Sequence, residues 1–321
     1  MIQITSHRKH ISIYWLTPVI ILVLTMILTG FYSPANAAGT RQKSFSSPEA
    51  AVEAVVSALK NKDQKMLKAI FGHGSRELLS SGDEVADRES RELFLRFYEE
   101  KNKLEKTGDK KAILYIGKED WPLPIPLVKK GKSWFFNTKE GREEIINRRI
   151  GENELSVIRV CMAYVDAQRE YALKDRDGDK LLEYAGKFVS EPEKKDGLYW
   201  ETKEGEKLSP MGPFFAAARE EGYAATGPDD KPIPYHGYYY KILTAQGKNA
   251  PGGAYDYVVN GKMVGGFALV AYPARYGSSG IMTFIVNQDG VVYERNLGKE
   301  TEKIAQAMKI FDPDKGWKKV E

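Results

Sequence analysis

The sequence predicts an α+β protein in which helices pack on antiparallel sheets, arranged as two domains behind an N-terminal leader. Three observations carry this. Stretches with apolar residues at helical spacing are followed by short apolar runs punctuated by Gly, Pro and Asn, and this order occurs twice. Asn260-Gly261 and Asp289-Gly290 are two-residue hairpin signals, which join antiparallel strands. The length of 321 residues accommodates two domains of ordinary size plus a leader.

The leader comes first. Arg8 and Lys9, the mostly apolar residues 11–31 and the small-x-small site Ala35-Asn36-Ala37 form the pattern of an export signal (residues 1–37) cleaved after Ala37. Ala35 and Ala37 are the cleavage-site pair. The apolar stretch is also close to the ~20 residues that cross a bilayer, so an uncleaved inner-membrane anchor is the rival reading. Either way the body is expected outside the cytoplasm, periplasmic or secreted.

In the first domain, residues 45–150, Ser47 caps a helix that Pro48 opens and that carries Val52, Val55, Val56 and Leu59. Met66, Leu67, Ile70 and Phe71 mark a second helix, and Leu93, Phe94 and Phe97 lie on a third over residues 86–100. Residues 112–117, 123–129 and 133–137 read as strands. Pro122, Pro124 and Pro126 remove donors from the middle one and assign it to a sheet edge. A further helix over residues 138–149 is expected to stop at Gly151.

The second domain, residues 151–321, starts with a helix capped by Asn153 and running to about Tyr171. Leu155, Ile158, Met162 and Val165 form one apolar stripe, which Val157, Cys161, Tyr164 and Tyr171 broaden. Strands are expected at residues 238–243, 255–259, 265–272, 281–287 and 291–296.

Five blocks carry a family resemblance: residues 131–136 (GKSWFF), 149–155 (RIGENEL), 163–168 (AYVDAQ), 234–239 (PYHGYY) and 252–257 (GGAYDY). In this order they resemble the uncharacterised bacterial domain-of-unknown-function family 2950. The resemblance implies export and envelope association and brings no activity. A weaker similarity ties the C-terminal half to pilin-type heads, through Asn153-Glu154, Ala167-Gln168, Gly222-Tyr223, Ala271-Tyr272-Pro273 and Gly290-Val291-Val292-Tyr293. It implies a helix packed on an antiparallel sheet. The segment before Asn153 is charged, with Arg142, Glu143, Glu144, Arg148 and Arg149, so no pilus polymerisation is expected.

Composition narrows the chemistry. Apolar residues make up 42% and charged residues 29%, an ordinary globular balance, and a net charge of +4 gives no support to nucleic-acid binding. One cysteine, Cys161, rules out an intramolecular disulfide, and it falls inside an apolar helix stripe, which reads as core. Ser57-Ala58-Leu59-Lys60 fits a Ser-x-x-Lys pattern without its companion motifs and reads as chance. Asp175, Asp177 and Asp179, with Glu183 beyond, place hard oxygen ligands as in a calcium loop. Gly178 and Glu183 fall at the wrong positions for an EF-hand, and a solvated turn is the alternative.

Nine of the 18 tyrosines fall between Tyr235 and Tyr293. Tyr235, His236, Tyr238, Tyr239 and Tyr240 form the densest run and are the candidate ligand-binding residues, for a sugar or a peptide; strand packing is the competing role. The function expected is a non-enzymatic binding or assembly factor of the cell envelope with a protein or glycan partner, no catalytic residue assigned and no cofactor beyond possible calcium. The alternatives are a periplasmic hydrolase or glycan-modifying enzyme that uses His236 and a carboxylate at the domain junction, and a carbohydrate- or peptide-binding module.

Overall fold

The computed structural model describes residues 42–176, 178–224 and 232–320. The leader, with Ala35 and Ala37, lies outside these residues, as does Asp177. Among the described residues no helix is long and apolar enough to cross a membrane.

The protein is α+β. Helices α1 (Pro48–Lys60), α2 (Gln64–Phe71), α3 (Ser75–Leu79) and α4 (Glu84–Glu100) precede a sheet of β1 (Asn102–Thr107), β2 (Lys111–Ile116), β3 (Trp121–Pro122), β4 (Leu127–Lys130) and β5 (Ser133–Phe136). Ser47 Oγ accepts from Ala50 N at 3.1 Å and starts α1 as expected. The strand order is β1-β2-β4-β5, with β3 paired to β2 beside β4. The proline-rich strand is therefore corrected. Pro122, Pro124 and Pro126 break it into β3 and β4, and β4 starts after the last proline, with all its N–H groups free to pair on both sides. It is an interior strand, and the charged β1 is an edge.

A second correction concerns Gly151. The helix expected to end there continues as α5 (Thr138–Tyr171), 34 residues long. Gly151 does not take a left-handed conformation, and a Cβ on it would meet nothing within 4 Å, so it is an exposed helical glycine. The stripe of the C-terminal half is also rotated. Leu155 is 60% exposed and Met162 38%, while Val157, Val160, Cys161, Tyr164, Val165 and Tyr171 are buried.

After α5 come α6 (Gly212–Glu220), β6 (Tyr238–Leu243), β7 (Ala245–Gln246), β8 (Tyr255–Asp256), β9 (Val258–Val259), β10 (Lys262–Met263), β11 (Ala268–Pro273), β12 (Thr283–Asn287), β13 (Tyr293–Arg295), α7 (Thr301–Ala307), β14 (Ile310–Phe311) and β15 (Lys318–Lys319). The main sheet runs β15-β13-β12-β11-β6, antiparallel throughout. Asn260-Gly261 joins β9 to β10, and Asp289-Gly290 lies between β12 and β13, as the hairpin signals require. Every residue of β11 and β12 is buried, because α5 packs against the sheet and α7 and β14 also pack on it. Lys241 Nζ donates to Ala305 O (2.8 Å) and Gln306 O (2.5 Å), holding the C-terminus of α7 to β6.

Two apolar clusters result. One runs from Phe45 to Phe136 and the other from Val157 to Phe311, with α5 passing between them.

Candidate functional site

The richest convergence of polar groups lies where the two clusters meet. Gly82 and Asp83 precede α4, and Asp83 caps it, accepting from Val85 N and Ala86 N at 3.1 Å each through Oδ1. Its Oδ2 reaches into the C-terminal half, accepting from Tyr223 Oη at 2.9 Å and Gly237 N at 2.8 Å. The residue is 1% exposed, so four donors satisfy a carboxylate that water does not reach.

Two further clamps flank it. Arg149 donates to Glu77 O (2.8 Å) and Leu78 O (2.9 Å), and Arg275 to Ser80 O (2.8 Å). Glu154 Oε1 accepts from Ile281 N and Met282 N, both at 2.9 Å, and Tyr238 Oη lies 3.3 Å from it.

Residues 235–238 form a two-residue hairpin turn. Tyr235 N donates to Tyr238 O at 2.9 Å and Tyr238 N to Tyr235 O at 3.2 Å, with His236 at φ 47° and Gly237 at φ 75°. A Cβ at Gly237 would stand 2.4 Å from Asn153 Nδ2, so that position needs glycine. Histidine in a left-handed conformation costs about 1 kcal/mol or more, a strain that the contacts of its ring offset. Nε2 of His236 lies 3.0 Å from Glu221 Oε2, and the ring packs edge-on against Tyr235 with centroids 4.2 Å apart. In the neutral tautomer that donates Nε2–H to Glu221, Nδ1 keeps its lone pair, and it makes no hydrogen bond among the described residues. Burial first, then Asp83, raises the Tyr223 phenol far above its ordinary value; burial first, then Glu221, raises Tyr235. Both hydroxyls therefore stay protonated beyond the pH at which a free phenol ionises.

Beside this hairpin is a cavity of about 310 Å³ whose walls include Phe188, Phe214, Phe215, Tyr223, Tyr235 and Tyr240. The rings meet mostly at steep angles: Phe214 with Tyr235 at 67°, Tyr223 with Tyr235 at 68°. They enclose a pocket and do not form a flat platform.

Of the residues singled out in the sequence, Tyr235, His236 and Tyr240 come together here. Tyr238 points into the core, 0% exposed, and Tyr239 leaves the opposite face of β6 to pack on Tyr272 at 5.6 Å. Asp83, Glu221 and Tyr223 escaped sequence reasoning as site residues. Asp83 carries only the generic mark of a capping residue ahead of α4, and Glu221 and Tyr223 lie in the turn that follows α6.

In the acidic loop, Asp175 accepts from Gly178 N (2.7 Å) and Lys180 N (2.8 Å), and Asp179 from Leu181 N (2.8 Å). Lys262 Nζ sits between Asp179 (2.8 Å) and Glu183 (3.3 Å). Among the described residues no group of three or more His, Cys, Asp or Glu side chains is arranged to hold a metal. Ser57 is exposed and Lys60 is paired with Glu99 at 2.6 Å, so that pair is no catalytic dyad. Cys161 is fully buried, and burial pushes its thiol up to about 12.

A family model described as "Protein of unknown function (DUF2950)" matches residues 42–320. The chain belongs to the DUF2950 family. No curated protein and no solved structure matches it. The hairpin, its carboxylates and the aromatic pocket all lie within the DUF2950 match, and the pilin-head resemblance rests on sequence alone.

Proposed function

We propose that this DUF2950 protein is an exported binding factor of the cell envelope, and that its aromatic pocket receives an apolar side chain of a peptide or protein partner. The observation that carries the reading is the cavity itself: rings from four chain segments converge on it, with His236, Glu221 and the Tyr235 hydroxyl close by. An apolar enclosure with a few directed polar groups is the usual form of a small-ligand site. Rings that wall a pocket suit an aliphatic or aromatic side chain better than the flat face of a sugar, which favours peptide over glycan.

Titration calorimetry with N-acetyl-phenylalaninamide, short apolar peptides and cell-wall glycan fragments tests this. Peptide-type ligands are expected to bind, and Ala218→Phe, which fills the cavity from its wall, should weaken them at least tenfold. Failure of every peptide ligand, or equal binding by the plugged variant, removes the proposal. Export is tested separately by N-terminal sequencing of the protein from its host, which should begin at Ala38.

A second reading, an acid–base hydrolase, is favoured by one contact, the 3.0 Å approach of His236 Nε2 to Glu221 Oε2, which sets an imidazole against a carboxylate beside the pocket. A panel of ester and glycoside substrates should then be turned over by the parent and not by His236→Ala. A parent protein inert on the whole panel rules it out.

A further inference from the structure

The N-terminal core has a cleft of its own, of about 330 Å³ and open to solvent on one side, lined in part by α1, α4, α5 and residues 123–125. Leu59, Phe94, Leu123 and Ile145 give it an apolar wall, and its polar end carries Arg91 and Arg149. The charges at that end are not matched in the usual way. Arg149 gives its terminal nitrogens to two backbone carbonyls, and no carboxylate lies within 4.0 Å of it among the described residues. The side chain of Arg91, a partly buried residue of α4, makes no hydrogen bond or ion pair among them. The nearby acid, Asp87, holds Ser81 N between its oxygens at 2.9 and 3.0 Å; its charge favours the Arg149 guanidinium by less than burial disfavours it. Arg148, also on the rim, is paired with Glu144, and Glu152 is the exposed acid of the outer edge.

A partly buried guanidinium with donors to spare is costly unless an anion completes it. Next to it, the apolar wall of the cleft suits a hydrocarbon. From the apolar cavity ending on Arg91 and Arg149 we propose a second binding site, for a free single-chain anionic amphiphile: a fatty carboxylate whose chain lies along Leu59, Phe94 and Leu123 and whose head group is held by the two arginines. A planar carboxylate suits the forked donors of arginine, and the donors that Arg91 and Arg149 have to spare are what such a head group would take up. The site is independent of the aromatic pocket, since the two linings share no residue.

The test uses the full mature chain, with dodecanoate, dodecanol and acetate as probes in titration calorimetry below the micellar concentration. Dodecanoate is expected to bind, dodecanol at least tenfold more weakly, and acetate not measurably. Arg91→Gln should reduce dodecanoate affinity about tenfold and leave dodecanol unchanged, and Leu123→Trp, which occupies the cavity, should abolish both. Ala218→Phe, in the other pocket, should change nothing. Near-ultraviolet circular dichroism confirms that each variant is folded, and a second cavity variant, Ile145→Phe, stands in should Leu123→Trp not fold. Equal affinity for dodecanoate and dodecanol, absence of dodecanoate binding, or binding lost in Ala218→Phe and kept in Arg91→Gln overturns the proposal.

Discussion

Between Phe45 and Phe136 the buried cluster is built from Ala, Val, Leu, Ile, Phe and Trp with no tyrosine, whereas the cluster from Val157 to Phe311 buries six. The difference lies in the hydroxyls. Tyr164 Oη donates to Ala268 O at 3.3 Å, Tyr171 to Lys195 O at 2.7 Å, Tyr238 to Met282 O at 3.0 Å and Tyr257 to Gln246 Oε1 at 3.0 Å. Each of these four phenols fills volume and also names a particular acceptor, so the second core is specified by direction as well as by size. The first core is specified mainly by volume and should tolerate repacking better.

The largest expected effect exploits that contrast. Burial raises the thiol of Cys161 and the phenols of Tyr164 and Tyr238, from ordinary values of 9.0 and 10.0. Above those ordinary values the unfolded chain has released protons that the folded chain still holds, so stability is intact below about pH 9 and falls as pH rises beyond it. At about 1.4 kcal/mol per pH unit and group, these three remove roughly 5 kcal/mol by pH 11. Urea melts at stepped pH, followed by tyrosinate absorbance, measure it. Tyrosines that all titrate near 10 in the folded protein would break the comparison.

Next in size is the tie between the cores. Asp83→Ala removes a helix cap and orphans the buried Tyr223 hydroxyl and Gly237 N–H, which together cost about 3–5 kcal/mol. Asp83→Asn, which keeps an oxygen for the cap, should cost less. A loss below ~1 kcal/mol for the alanine variant in a denaturant melt would mean that the seam contributes little.

Gly151 sharpens the question of whether the cores are separate domains. Gly151→Ala should stabilise the protein by about 0.5–1 kcal/mol, because the position is helical, exposed and free of neighbours. We propose, from the two apolar clusters, that residues 45–150 and 151–321 form distinct domains; expressed separately, each should melt cooperatively, although the cut divides α5. Two halves that both lack a cooperative melt would show a single folding unit.

The smallest effect concerns calcium at the acidic loop. The ammonium of Lys262 already stands between Asp179 and Glu183, so calcium must compete with it. Scanning calorimetry should show a slight rise in Tm at millimolar calcium and a larger one in Lys262→Gln, with magnesium as control. No calcium-specific rise in either protein excludes the site.

How much of this was legible in the sequence follows from the range of each signal. Local signals read well: the Ser47-Pro48 start of α1, strand β6 at Tyr238–Leu243 and both hairpin turns are where spacing and turn chemistry put them. Gly151 misled because a glycine after a charged run looks like a helix stop, and only the packing of Ile146, Ile150 and Val157 along one rod shows otherwise. β1, with sequence NKLEKT, has no apolar alternation and is held by its pairing to β2. The site was half legible. Tyr235 and His236 stood out by composition, but Asp83 is bonded to Gly237 across 154 positions, a separation that no periodicity reports.

The unbroken α5 has a mechanical consequence. At 1.5 Å per residue, its 34 residues make a rod about 51 Å long. Two bodies joined by a flexible linker swivel as a matter of course, but here the connection is a helix with its backbone hydrogen bonds intact. Bending it means opening a turn, and twisting it means shearing the bonds of Asp83 to Tyr223 and Gly237 and of Arg275 to Ser80 together. The aromatic pocket and the arginine-ended cavity therefore stand at a fixed spacing, so a partner that engages both must match the protein's dimensions from the outset.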